Sequence, residues 1–283
     1  MDFHAKPTVY IGCVYLKVAD LQSSLDFYQG LLGLKVLKQQ KDTTFLSADG
    51  VNPIVALEHT PGYSKRKERS TGLYHFAFLL RRRSDLAKVL IHLLKGGYPL
   101  QGASDHLFSE ALYLADPEGN GIEIAYDRPP EDWKWTDGEL PFVSEPLEVN
   151  HLLATDNGDE WRGFPDDTVL GHIHLHVDHL DTAGKFYCDG LGFDITIPFR
   201  NQALFVSSNG YHHHIGLNTW QGIGAPPPSE NTTGMKLYSI VFPSSMERQK
   251  AADRLQALGY KVFDEQNRLY TVDPAHHLIE LAL

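Results

Sequence analysis

The sequence predicts an α+β fold: four strand–helix–strand units set in two tandem halves. Three observations carry this prediction. The chain is duplicated along nearly its whole length. Each half holds two smaller units that open with strand-like alternation and continue as an amphipathic helix. Turn residues punctuate the units at matching places.

The duplication is visible residue by residue. Gly12-Cys13-Val14-Tyr15-Leu16-Lys17-Val18 returns as Gly171-His172-Ile173-His174-Leu175-His176-Val177. Leu25-Asp26-Phe27-Tyr28 through Leu32-Gly33-Leu34 matches Gly184-Lys185-Phe186-Tyr187 through Leu191-Gly192-Phe193. Phe45 to Gly50 matches Phe205 to Gly210, and Thr71-Gly72-Leu73-Tyr74-His75-Phe76-Ala77 matches Thr233-Gly234-Met235-Lys236-Leu237-Tyr238-Ser239. Near the end of each half, Tyr113-Leu114-Ala115-Asp116-Pro117 matches Tyr270-Thr271-Val272-Asp273-Pro274, and Gly121-Ile122-Glu123-Ile124 matches His277-Leu278-Ile279-Glu280-Leu281. Histidines are lost in a complementary way. The first-strand pair keeps one only at His172, and the later pair keeps one only at His75.

Taken in order, Tyr10 to Val18 alternates as a strand. A helix starts at Asp20-Leu21, with Leu21, Leu25, Phe27, Tyr28, Leu31 and Leu32 apolar and Gly33 at the expected C-cap. Short strands follow around Lys35–Lys38, Thr44–Ser47 and Ile54–Glu58. The second unit reads as a strand over Tyr74–Leu80 and a helix over Ser84–Lys95 ending at Gly96-Gly97. Its last strands, Ala111–Leu114 and Gly121–Tyr126, are joined by the turn Asp116-Pro117-Glu118-Gly119-Asn120. These readings place a first domain at residues 8–128, a partly ordered linker at 129–168 and a second domain at 169–283. The Pro- and Gly-rich stretch from Gly222 to Gly234 is expected to pack over one end of the second half.

Composition narrows the functional classes. At 283 residues the chain has room for two domains with full cores. No apolar run approaches the roughly 20 residues of a membrane span. The start lacks the apolar region of a signal peptide, and two cysteines, Cys13 and Cys188, make no disulfide framework. A cytoplasmic location is therefore expected. A net charge of −11 speaks against nucleic acid or an anionic membrane as partner. The basic run Lys65-Arg66-Lys67-Glu68-Arg69 and the nearby Arg81-Arg82-Arg83 read as solvated loops, with no interleaved aromatics for base stacking. The sequence leaves room for a homo-oligomer.

Four such units resemble the vicinal-oxygen-chelate superfamily, which includes glyoxalase I-like enzymes and catechol 2,3-dioxygenase-type extradiol dioxygenases. The resemblance rests on Gly171-His172-Ile173-His174-Leu175, the Phe-Tyr…Leu-Gly helix ends, Asp116-Pro117-Glu118-Gly119-Asn120-Gly121-Ile122-Glu123 and Tyr211-His212-His213-His214. It covers the chain outside the linker. It implies four βαβββ units that pair into open, U-shaped mixed-sheet barrels, with metal ligands on the first and last strands of each unit. First-strand slots then fall at Cys13, His75, His172 and Leu237. Last-strand slots fall at Glu123 and Glu280, and near Ala56 and Gly216, which cannot ligate through a side chain.

Pairing the units within each half leaves neither cleft with two histidines and a carboxylate. Pairing the second unit with the third collects His75, His172 and Glu123, the 2-His-1-carboxylate set of oxygen-activating non-haem Fe(II) enzymes. The remaining pair would hold Cys13, Leu237 and Glu280 and would be a dead site. The resemblance also implies a catalytic tyrosine at Tyr113, ten residues before Glu123, and an acid–base histidine at His213, with His214 the near alternative. His106, on the loop before Tyr113, is a candidate substrate contact. His174 and His176 share a face with His172 and can equally be ordinary barrel residues.

The leading functional expectation is an extradiol-type dioxygenase of aromatic compound catabolism, cleaving a small catecholic diol with O₂ at Fe²⁺. One alternative is a glyoxalase-type isomerase or lyase using Mn²⁺, Zn²⁺ or Ni²⁺. Such sites usually carry a carboxylate in each paired unit, and Gly216 occupies that slot. Another is a non-catalytic protein that binds small aromatics or confers resistance to them.

Overall fold

The computed structural model describes residues 2–59, 61–65 and 69–283. Arg66, Lys67 and Glu68 of the basic run lie outside the described residues. The strands are β1 (Tyr10–Val18), β2 (Lys35–Gln40), β3 (Thr43–Ser47), β4 (Val55–His59), β5 (Gly72–Leu80), β6 (Gly102–Asp105), β7 (Ser109–Ala115), β8 (Gly121–Asp127) and β9 (Glu145–Pro146) in the first part of the chain. They continue as β10 (Val169–His176), β11 (Asp194–Phe199), β12 (Ala203–Ser207), β13 (Ile215–Asn218), β14 (Gly234–Val241), β15 (Val262–Glu265), β16 (Arg268–Val272) and β17 (Leu278–Ala282).

Two mixed sheets result, and each combines strands from both halves. One has the order β15-β16-β17-β14-β1-β4-β3-β2, the other β11-β12-β13-β10-β5-β8-β7-β6-β9. The first unit thus pairs with the fourth through antiparallel β1 and β14. The second pairs with the third through antiparallel β5 and β10. Within each unit the first strand runs parallel to the last, as β5 does to β8 and β10 to β13. The sheet built on β5 and β10 curls around a cleft on one face. The opposite faces of β1, β14, β5 and β10 share one core with the helices, including Leu16, Phe76, Ile173 and Tyr238 from the strands and Tyr28, Leu90, Phe186 and Leu255 from the helices.

The helices of units one and three are tied to the turn that closes the following unit. Tyr28 donates its hydroxyl proton to Asp116 (2.8 Å), and its repeat counterpart Tyr187 donates to Asp273 (2.8 Å). Both helices begin as α-helix, at Leu21–Leu25 and Leu180–Gly184, and continue in wider π turns over Asp26–Leu31 and Lys185–Leu191. Gly33 follows at φ +78°, and a Cβ there would lie 2.2 Å from the Gly163 Cα. The conformation and the contact both require glycine.

The segment between the halves carries a 3₁₀ turn at Pro130–Asp132, strand β9 at the sheet edge, and a short helix at Val149–Leu153. The 222–234 stretch bridges the two halves: the Thr71 amide donates to the Pro226 carbonyl, Gly224 to Asp178, and Ser64 pairs with Thr232.

Candidate metal centre

Strand register brings the candidate ligands together. On the concave face, Ala77 of β5 is flanked by His172 on antiparallel β10 and by Glu123 on parallel β8. His75 sits two residues before Ala77 and so shares its face. Ala77 offers only a methyl group, which leaves room above it. A register irregularity at Gly171 sets His172 in place. The three side chains meet: His75 Nε2 lies 3.1 Å from Glu123 Oε2, His172 Nε2 lies 3.2 Å from the same oxygen, and the two Nε2 atoms are 3.3 Å apart. Three ligands at right angles and about 2.2 Å from one ion have donor atoms about 3.1 Å apart. The triangle therefore fits a divalent metal.

All three groups are buried. Burial pushes the Glu123 carboxyl up, but the imidazoles, His172 first, more than offset it and hold it well below the usual carboxylate range. Burial pulls the His75 imidazole below its ordinary value against the opposing pull of Glu123. An ionised carboxylate beside a neutral imidazole is the state a metal needs in its ligands. Gly216 occupies the slot on β13 that Glu123 fills on β8. A Cβ there would come within 2.8 Å of the His174 ring, so a fourth side-chain ligand has no space.

The ligands open into a cavity of about 360 Å³. Tyr113 faces it from β7, directly across the ladder from Glu123. Its hydroxyl is 2.7 Å from His106 Nε2, while His106 Nδ1 donates to the Val143 carbonyl at 2.7 Å. In the neutral ring Nε2 is therefore bare and accepts the Tyr113 proton. Burial, then the charge of Glu123, raises the Tyr113 phenol well above its ordinary value. His213 lines the cavity with its ring 4.2 Å from that of His172. Burial, with His172 next, keeps His213 well below its ordinary value.

His214 points elsewhere. Its Nε2 donates to the Phe3 carbonyl (3.0 Å) and its Nδ1 meets Ser207, outside the cavity. His174 reaches the cavity wall, and Asn218 links it to His176 through contacts of 2.9 and 2.7 Å. Phe142, from the segment between the halves, stacks on Phe199 at 3.9 Å and helps close one side.

Sequence reasoning missed three participants. Val143, which orients His106, lies in a stretch without periodicity. His212 was part of a recognised triplet but had no assigned partner. That partner is Asp127, four residues past Glu123 on the same strand face, a spacing that could have flagged it.

The other sheet holds no metal-ligand triangle among the described residues. Arg268 grips Glu280 with two hydrogen bonds of 2.7 and 2.6 Å and reaches the Tyr15 hydroxyl at 2.9 Å. Cys13, Tyr15, Ala56, Leu237 and Tyr270 pack as a small apolar cluster beside them. A guanidinium neutralises the carboxylate there.

Two mixed sheets of cross-paired βαβββ units, one holding a buried His-Glu-His triangle at the head of a cavity, define a paired-unit fold with a candidate metal site. The family model for the glyoxalase/bleomycin resistance protein/dioxygenase superfamily matches residues 10–124 and 169–281, and the chain belongs to that superfamily. The catechol-2,3-dioxygenase of Bacillus subtilis (strain 168) is 41% identical over 268 residues, which is 94% of each chain. The fold is also that of a solved Bacillus subtilis structure (TM-score 0.69, 15% identity, 98% of this chain and 86% of that one). Glyoxalase I of Zea mays shares it as well (TM-score 0.58, 17% identity, 97% and 92%).

Proposed function

We propose that this protein is an extradiol-type dioxygenase that opens a catecholic ring with O₂, with His75, Glu123 and His172 holding Fe²⁺. The observation that carries the reading is the buried three-ligand triangle facing a glycine, in a chain 41% identical to a catechol-2,3-dioxygenase. A divalent metal there would bring the two oxygens of a diol and O₂ side by side at the positions the protein leaves open.

The chain's own groups supply the rest. Extradiol cleavage adds both atoms of O₂ across one C–C bond and needs no outside reductant. Protons released by the diol must therefore return to the product. His213 is the group we assign to hold and return a proton, at Nε2. The Tyr113 hydroxyl stays protonated, and with its hydrogen held by His106 Nε2 its oxygen accepts a hydrogen bond from a substrate hydroxyl. Phe108, Phe142 and Phe205 exclude water from the reacting face. His214 has no part in this scheme.

No helix among the described residues is long and apolar enough to cross a membrane, and we place the protein in the cytoplasm. Residues 8–128 and 169–283 are read as the two tandem domains joined by 129–168.

The test is metal content per chain after purification without chelator, followed by anaerobic Fe²⁺ loading and O₂ uptake with catechol. One iron per chain and one O₂ consumed per catechol are expected. Manganese, zinc or nickel without O₂ uptake would point to glyoxalase-type chemistry. No metal after loading would leave a small-aromatic binding protein.

A further inference from the structure

Behind His213 lies a chain of polar groups that the scheme above does not use. Asp127, at the end of β8, places Oδ1 3.0 Å from His212 Nε2 and Oδ2 2.7 Å from the Tyr211 hydroxyl. His212 Nδ1 in turn lies 2.8 Å from His213 Nδ1. The His212 ring is 1% exposed and is sandwiched between Phe108 (4.5 Å, 25°) and Tyr211 (3.9 Å, 36°). It cannot turn without breaking both stacks and both hydrogen bonds.

Proton counting assigns every hydrogen in the chain. Burial pushes the Asp127 carboxyl up, but His212 and Tyr211 more than offset it, so the group is an ionised acceptor. His212 Nε2 must then carry a hydrogen. A neutral imidazole has one N–H, so His212 Nδ1 is bare. Only an Nδ1–H on His213 can satisfy the 2.8 Å contact, which leaves His213 Nε2 without a hydrogen.

We propose that Asp127, acting through His212, sets the tautomer of His213 and presents its bare Nε2 to the substrate cavity. Asp127 and His212 are positioning residues. The logic is that of a carboxylate fixing a catalytic imidazole, extended by one ring. The tautomer assignment stands on the hydrogen-bond geometry around an ionised Asp127. Its catalytic consequence rests on the reading of His213 as the proton-holding group.

Asp127→Asn is the informative variant. Tyr211 donates to Oδ2, so the amide oxygen of an asparagine is claimed by Tyr211 and the amide N–H₂ faces His212. That reverses the relay: His212 becomes Nδ1–H, and His213 turns its N–H toward the cavity. The tautomers are read by two-bond ¹H–¹⁵N correlations of ¹⁵N-histidine-labelled, zinc-loaded protein, with resonances assigned by His212→Gln and His213→Gln. The wild type should show His213 as Nδ1–H, and Asp127→Asn should show it as Nε2–H. Iron content and KM for catechol should hold, while kcat falls about 100-fold or more, as expected for a wrong tautomer. Tyr211→Phe should keep the native tautomer.

An Nε2–H tautomer in the wild type, or no inversion in Asp127→Asn, overturns the proposal. Inversion with unchanged kcat upholds the relay and removes His213 from the chemistry. If Asp127→Asn does not fold, His212→Phe keeps the aromatic stack while removing the partner. A His213 that stays wholly Nδ1–H in that variant overturns the proposal, and a mixture of tautomers supports it. If zinc does not bind, the metal assignment fails, and the metal-free protein still reports the tautomers.

Discussion

Two glutamates occupy equivalent last-strand positions and have opposite fates. Glu123 meets two imidazoles, whereas Glu280 is gripped by the Arg268 guanidinium. His75→Ala and His172→Ala are each expected to abolish stoichiometric metal binding, and Glu280→Gln to leave it intact, as measured by elemental analysis after Fe²⁺ loading. Retained metal in either histidine variant would sink the shared-site assignment.

A second residue-level expectation concerns His4. Its Nε2 donates to the Gly171 carbonyl at 3.0 Å, and its Nδ1 is buried without a partner among the described residues. Burial pulls its pKa down to about 4 from an ordinary 6.5. Between those values the unfolded chain binds a proton that the folded chain refuses. Stability attributable to His4 is thus present above pH ~6.5 and lost as the pH falls toward ~4, by roughly 3 kcal/mol at the low end. His4→Gln should flatten that part of a urea-denaturation pH profile. An unchanged slope would mean that the ring protonates freely in the fold.

The central strands were legible as elements because alternation and duplication agree there: β1, β5 and β8 fall within a residue or two of their expected spans, and β10 covers the repeat of β1. The candidate ligand histidines were legible for the same reason, since a repeat shows which copy lost a side chain. The π turns in the first helix of each half carry no sequence signal distinct from an α-helix. The wall formed by Phe142 and Val143 was illegible, because a segment without periodicity reveals its role only by what it packs against. Gly33 marks where such a segment meets the fold. Gly33→Ala should destabilise by about 2–4 kcal/mol, combining a strained φ with a backbone collision at Gly163. A loss under about 0.5 kcal/mol in chemical denaturation would contradict the close approach.

Across the whole molecule, charge and cavity lining set substrate preference. None of the described residues lining the 360 Å³ cavity is Lys or Arg, and its walls include Phe108, Phe142, Ile197 and Phe205. A catechol carrying a carboxylate would bury that charge without a counter-ion. Uncharged catechols such as 4-methylcatechol are therefore expected to exceed 3,4-dihydroxybenzoate in kcat/KM by about 100-fold or more, equivalent to about 3 kcal/mol. Comparable values for the two would show that the acid group escapes to solvent.

The cross-pairing of units also dictates how the chain comes to exist. β1 finds its antiparallel partner β14 more than two hundred residues later, with Tyr10 opposite Val241. While the first half emerges from the ribosome, β1 and β5 each expose an open edge whose partner has yet to be made. The sheet built on β1 cannot close until β14 to β17, as far as Ala282, have been made, whereas the sheet built on β5 needs strands only as far as Asn218. Such long-range pairing slows folding and leaves sticky edges in the interim. Rapid synthesis or a stalled ribosome would yield aggregation-prone half-chains, and newly made chains should depend on chaperones far more than the finished protein does.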